Sequence, residues 1–130
     1  MGIKKESFNW NIVDETRYRS LNVWFPLYDV DKNSGALWLL EGSQNINRPI
    51  RGSAYLFPDY SDYFEEISKK ATSVPLKAGE AVVFFPNTIH GSPSNNSKSP
   101  RIASCFSLVP KEAKLYIHFQ PNEGNPLEVY

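Results

Sequence analysis

Cysteine occurs once in this chain, at Cys105, and histidine twice, at His90 and His118. A single thiol excludes a disulfide-stapled scaffold and points to a reducing compartment. Two imidazoles set a low ceiling on any metal or acid–base site. An excess of charge of one sign is also missing, because fourteen Lys and Arg balance fourteen Asp and Glu. A nucleic-acid-binding module would gather a basic surplus on one face, so that class is set aside. No stretch reaches the roughly 20 apolar residues of a membrane span, so no membrane partner is expected. Met1 to Trp10 holds two lysines but no apolar signal-peptide core, and the expected location is cytoplasmic. Asn95-Asn96-Ser97 fits a glycosylation sequon, yet without export it reads as an ordinary loop.

What is present suits a folded domain. The 130 residues are 41% hydrophobic and 14% aromatic, which excludes a disordered tail and suffices for one core. We expect a single domain over 1–130, with 121–130 as a tail or arm. Strand signals dominate. Leu21 to Leu27 places Leu21, Val23, Phe25 and Leu27 on one face at period two. The turn-rich run Asp29 to Gly35 leads to a short apolar strand, Ala36 to Leu40. Residues 44–58 are irregular. A helix follows, capped by Asp59 or Ser61, with Glu65 and Glu66 early, Lys69 and Lys70 late, and a stripe of Tyr60, Phe64, Ile67 and Ala71. Further strands are expected at Ser73 to Leu76, Ala81 to Phe85, Thr88 to His90, Arg101 to Val109 and Lys114 to Phe119. Many short strands joined by turn-rich links indicate an all-β sandwich or barrel with one short helix.

The chemistry-bearing stretch runs from Gly79 to Arg101: a strand, His90, a polar loop holding Asn95 and Ser97, then Arg101 opening the next strand. Eleven positions separate His90 from Arg101, a span a hairpin can close at a barrel mouth. An imidazole there can bind a metal, and a guanidinium fork can hold a carboxylate. On residue types alone, a histidine and an arginine flanking a loop are more often surface residues than a site. Cys105 lies mid-strand with no histidine beside it in sequence and reads as a buried small residue. Trp10, Trp24, Trp38, Tyr55, Phe57, Tyr60 and Tyr63 could stack on sugars or bases, although packing is preferred for Trp24 and Trp38. No phosphate-binding glycine loop and no serine–histidine–acid arrangement is present.

Val23-Trp24-Phe25-Pro26-Leu27, Asp29, Asn33-Ser34-Gly35-Ala36-Leu37 and Gly42-Ser43, followed by Lys77-Ala78-Gly79-Glu80-Ala81, His90, Asn95, Ser97, Arg101 and Pro110-Lys111-Glu112-Ala113, resemble the phytanoyl-CoA dioxygenase-like proteins in order and spacing. The resemblance runs from about Trp10 to Phe119. It implies a double-stranded β-helix, a jelly roll of the cupin type, that binds Fe(II) and 2-oxoglutarate. Two histidines and a carboxylate hold the metal in such enzymes. By motif, the later histidine is His90, and Arg101 is the partner of the 2-oxoglutarate distal carboxylate. Asn95 and Ser97 lie in the loop near that site.

The first iron motif departs from this pattern. Aligned through Trp10 and Val13-Asp14-Glu15, the His-x-Asp positions hold Ser7 and Asn9, a neutral hydroxyl and a neutral amide. The family's Gly-Ser-His stands here as Gly42-Ser43-Gln44. His118 could substitute as a ligand, but it shares a polar strand face with Lys114 and Tyr116. Asp14 and Glu15 could replace the carboxylate, although turn hydrogen bonding is the preferred role for both. Family members carry a substantial region ahead of the first motif where this chain has six residues, so we expect a truncated or minimal relative. Sheet surface left bare would pair, giving a homodimer. The leading expectation is a family member without the usual iron site and with no cofactor bound, serving as a small-molecule-binding or assembly module. The alternatives are an active Fe(II)/2-oxoglutarate dioxygenase acting on a small organic substrate, and a jelly-roll carbohydrate binder.

Overall fold

The computed structural model describes residues 12–46, 50–52, 60–120, 126 and 128–129. Eight short strands and one helix follow in chain order: β1 Leu21–Pro26, β2 Leu37–Leu39, α1 Phe64–Lys70, β3 Thr72–Val74, β4 Val82–Phe84, β5 His90–Gly91, β6 Ala103–Leu108, β7 His118–Phe119 and β8 Glu128–Val129. All pairings are antiparallel. One sheet has the order β4-β1-β6 and a second the order β3-β2-β5. The chain passes back and forth between them, so that β1, β4 and β6 fall in one sheet and the strands between them in the other. That winding is a double-stranded β-helix of the cupin type.

One apolar cluster joins the sheets. Trp24 from β1 and Phe84 from β4 pack with Leu37 from β2, Val30 and Ala36, and Leu39, Leu76, Val82 and Ala103 lie around them. Burying a side chain such as Leu37 or Phe84 contributes about 1.5–3 kcal/mol. The cluster therefore holds the two sheets face to face.

The alternation in β1 is real but faces the other way. The inward residues are Asn22, Trp24 and Pro26, while Leu21, Val23 and Phe25 are only half-buried and Leu27 is exposed. Register explains the split. Asn22 lies opposite Phe84 and Ser107, and Trp24 opposite Val82 and Cys105, on the inner face. Val23 lies opposite Val83 and Phe106, on the outer face. The inner face of this sheet thus mixes polar and apolar residues, and a second apolar set looks outward.

Cys105 is a correction of the same kind. It is exposed rather than buried. β6 is the last strand of its sheet, and its inner side is partly covered only at Ala103.

The connection from Asp29 to Gly35 is a closed turn. Asp31 Oδ1 accepts from the backbone N–H groups of Asn33 and Ser34 at 2.9 and 2.8 Å, and Gly35 supplies the left-handed residue at φ 86°. α1 has the expected charges, with Glu65 and Glu66 in its first turn and Lys69 and Lys70 in its last. Only Ile67 of its stripe is fully buried. A short 3-10 turn, Ser61–Tyr63, leads into it, and the proposed cap Asp59 lies outside the described residues.

The expected strand Lys114 to Phe119 shrinks to β7. Leu115, Ile117 and Phe119 are exposed and His118 is buried, the reverse of an apolar face turned inward. Nor is 121–130 wholly a loose arm, because Glu128 and Val129 pair with Phe119 and His118. Among the described residues, no helix is long and apolar enough to cross a membrane.

Candidate active site

His90 opens β5 and is 3% exposed. Several contacts fix it there. Leu39 faces it across the β2–β5 ladder, and its ring lies 4.8 Å from that of Phe84. Ser43 shapes the approach to β5, because its hydroxyl donates to Leu40 O at 2.7 Å and accepts from Ile89 N at 2.9 Å. Asn87 adds a bond from Nδ2 to Gln44 O at 2.8 Å. Thus the Gly42-Ser43-Gln44 segment, which lacks the histidine of its family counterpart, still positions the strand that carries His90. Gly91 must be glycine, since a Cβ there would lie 2.5 Å from Trp38 Cζ2.

Thr88 O sits 2.7 Å from His90 Nδ1. A carbonyl can only accept, so Nδ1 carries the proton and Nε2 keeps its lone pair. Burial holds the imidazole below its ordinary pKa of 6.5. The Thr88 bond works against that shift, and the nearby Arg51 cation adds to it. His90 is therefore a neutral imidazole with one free nitrogen, the form that ligates metals.

Arg101 stands just before β6 and remains exposed. Its Nη1 donates to Gly35 O, and its guanidinium lies 5.9 Å from the ring centroid of Trp24. His90 on Phe84 and Arg101 on Trp24 therefore touch one apolar cluster from two sides. The loop between them is folded onto the Asp31 turn: Asn96 N donates to Asn33 O at 2.9 Å. Asn95 and Ser97 spend their polar groups within that loop. Asn95 Oδ1 accepts from Ser97 N and Oγ at 2.9 and 2.7 Å, and Asn95 Nδ2 donates to Ser99 O at 2.8 Å. They shape the connection that carries Arg101.

Two buried groups escaped sequence reasoning. Arg51, fully buried, pairs with Glu15, and its charge reaches His90. It sits in the irregular stretch where no periodicity singles it out. Asn22 is also fully buried; its Oδ1 accepts from Ser107 Oγ at 2.7 Å, while its Nδ2 has no partner. Its signal was a polar residue inside an otherwise apolar strand.

The replacement carboxylates take separate roles. Asp14 Oδ1 accepts from Thr16 N at 2.9 Å and Thr16 Oγ1 at 2.6 Å, and those bonds hold its carboxyl below the usual range. Glu15 is committed to Arg51. His118, expected on a polar strand face with Lys114 and Tyr116, is buried beside the ring of Tyr116 at 4.9 Å, and its Nδ1 has no partner. Cys105 is no activated nucleophile, since desolvation pushes its thiol upward. A depression of about 420 Å³ beside Asp29, Asp31 and Glu80 is not a cation site either. Asp29 Oδ1 and Glu80 Oε2 accept backbone N–H groups of Ala78 and Lys77, and Asp31 is occupied by its own turn.

The described residues do not by themselves supply an Fe(II) donor set. Among the described residues no three His, Cys, Asp or Glu side chains converge to hold a metal ion. Ser7 and Asn9, which the resemblance aligns with the first motif, lie outside the described residues, and neither side chain is an imidazole or a carboxylate.

Fold and site together define a jelly roll of the kind used by 2-oxoglutarate-dependent oxygenases. The family model described as phytanoyl-CoA dioxygenase (PhyH) matches residues 5–103, and the chain belongs to that family. It is 29% identical over 106 residues to the phytanoyl-CoA dioxygenase domain-containing protein 1 of Danio rerio, covering 72% of this chain and 34% of that protein. The chain thus spans about a third of the length of that relative. Among solved structures it resembles the epimerase SnoN in complex with Fe3+, alpha ketoglutarate and nogalamycin RO, at TM-score 0.55 and 27% identity, over 70% of this chain and 34% of that one. It also shares the fold of the alpha ketoglutarate-dependent carbocyclase SnoK from nogalamycin biosynthesis, at TM-score 0.65 and 23% identity, over 85% of this chain and 45% of that one.

Proposed function

We propose that this chain is a phytanoyl-CoA dioxygenase-like barrel that does not hold iron in the usual way and serves as a small-molecule-binding or assembly module. One observation carries the reading. In the alignment that the family resemblance gives, His90 bears a metal-binding side chain, whereas Ser7 and Asn9 stand at the other two ligand positions. Arg101 supports the ligand part of the reading: it lies on Trp24 with further N–H donors beyond the one given to Gly35. A guanidinium so placed can grip a carboxylate in two parallel hydrogen bonds. The ligand class is a small dicarboxylate such as 2-oxoglutarate, bound without metal. A cytoplasmic location belongs to the same reading and is supported by the single cysteine.

The competing reading is an active Fe(II)/2-oxoglutarate-dependent dioxygenase with an unconventional ligand set. The free Nε2 of His90 favours it, as does the Fe3+ and alpha ketoglutarate in the SnoN complex. Anaerobic addition of Fe(II) and 2-oxoglutarate separates the two. We expect no metal-to-ligand charge-transfer band, together with metal-independent 2-oxoglutarate binding by calorimetry that is lost in Arg101→Ala. A band that appears in the wild type and vanishes in His90→Ala would overturn the module reading in favour of the oxygenase.

A further inference from the structure

We propose that β6 is a docking edge for a second copy of this chain, with the two β6 strands pairing antiparallel about a twofold axis. β6 closes one side of the β4-β1-β6 sheet, and among the described residues no strand lies beyond it. Exposed strand edges are normally protected by lysine, proline, a bulge or a covering element. The β6 sequence Ala103-Ser104-Cys105-Phe106-Ser107-Leu108 has no charge and no proline. β1 and β4, LNVWFP and VVF, are uncharged too. The outer face of this sheet exposes Val83 at 54%, Phe106 at 47% and Leu108 at 50%. With zero net charge, two copies meet without long-range repulsion.

Symmetry narrows the register. A twofold axis perpendicular to a sheet keeps each side chain on its own face, and directly opposed residues share a face. The strand must therefore place some residue opposite its own copy. Of the registers this allows, the one centred on Cys105, from Ile102 to Leu108, places large exposed apolar residues opposite each other at both ends. It sets Ile102, 44% exposed, against Leu108 of the other copy at both ends, and Ser104 against Phe106. Cross-strand apolar pairs of this kind stabilise a ladder. The two Cys105 residues then face each other. Opposed residues in an antiparallel pair have Cα atoms about 4.5–5.5 Å apart, within the range of about 4.4–6.8 Å that a disulfide spans. The result is one continuous six-stranded sheet that consumes both free β6 edges.

Sedimentation of the 130-residue chain across micromolar to hundred-micromolar concentrations should give a reversible dimer, and diamide should lock it through Cys105 as a covalent dimer absent in Cys105→Ser. Ser104→Lys places a charge in the edge at a solvent-exposed position; it should weaken the dimer at least tenfold while leaving the circular dichroism and Tm unchanged. A monomer at every concentration would overturn the proposal. So would a dimer that neither crosslinks at Cys105 nor responds to Ser104→Lys, because its interface lies elsewhere, and so would an open series of larger species.

Discussion

Replacing Glu15 with glutamine removes the negative partner of a fully buried guanidinium. Arg51 is inaccessible along its whole length, and the Glu15 side chain is 17% exposed. Breaking a buried ion pair by deleting one partner costs about 3–5 kcal/mol, because the surviving charge stays in a poorly polarisable setting. Two features place this pair at or below the low end. Water reaches part of Glu15, and Arg51 has interactions besides this one. We therefore expect a loss of about 2–3 kcal/mol, a large share of the roughly 5–15 kcal/mol that stabilises a domain of this size.

Urea denaturation followed by tryptophan fluorescence measures it. With a slope of about 2 kcal/mol per molar, the midpoint of Glu15→Gln should fall by about 1–1.5 M. The double variant Glu15→Leu, Arg51→Met should lie within about 1 kcal/mol of the wild type, because it removes both charges and leaves neither stranded. A midpoint shift below about 0.3 M in Glu15→Gln would refute the reasoning, as would a double variant as unstable as the single one. Either result would mean that Arg51 draws its compensation from elsewhere.

Two further expectations concern β5. Gly91→Ala would drive a methyl into Trp38 at 2.5 Å, an overpacking that should cost about 1–3 kcal/mol and be partly relieved by Trp38→Leu; an unchanged urea midpoint would contradict it. His90 is held below its ordinary 6.5, chiefly by burial, so the unfolded chain takes up its proton first as the pH falls. Its contribution is complete above pH 6.5 and is lost as the pH drops towards the lower folded value. Thermal melts should show this acid-side loss in the wild type and a flatter profile in His90→Gln, and identical profiles would argue against a buried neutral imidazole.

The period-two pattern made β1 legible, turn-bounded apolar runs did the same for β2, β4 and β6, and the acid-first, base-last order did so for α1. Which face of β1 turns inward was not legible. Periodicity counts apolar residues and assigns the richer face to the core, but here the inner face carries Asn22 and Trp24 while Leu21, Val23 and Phe25 look outward. His118 misled for the same reason: alternation paired it with Lys114 and Tyr116, whereas the close approach of Gly52 to its backbone encloses it. His90 and Arg101 were found through motif spacing, and the structure sets both on the Trp24–Phe84 cluster. Arg51 had no local signal, since its meaning depends on Glu15, thirty-six positions away.

Both faces of the β4-β1-β6 sheet depart from the simplest stable arrangement. A buried polar atom without a partner costs about 1–3 kcal/mol, and a sheet pair could avoid that cost by lining its inner faces with aliphatic residues. This chain does so only in part: beside its apolar cluster, Ser20, Asn22 and His118 each keep a buried polar atom unpartnered, and Arg51 brings a full charge inside. Several apolar residues, Leu21, Val23, Phe25, Val83, Phe106 and Leu108, are placed on the outer face of the β4-β1-β6 sheet, where they gain less unless something covers them. Stability alone favours neither choice. On the readings proposed above, Arg101 serves a ligand and the outer face of the β4-β1-β6 sheet serves a partner, and the two would fail separately. Loss of carboxylate binding in Arg101→Ala would leave the β6 pairing intact, and Ser104→Lys would leave the ligand site intact.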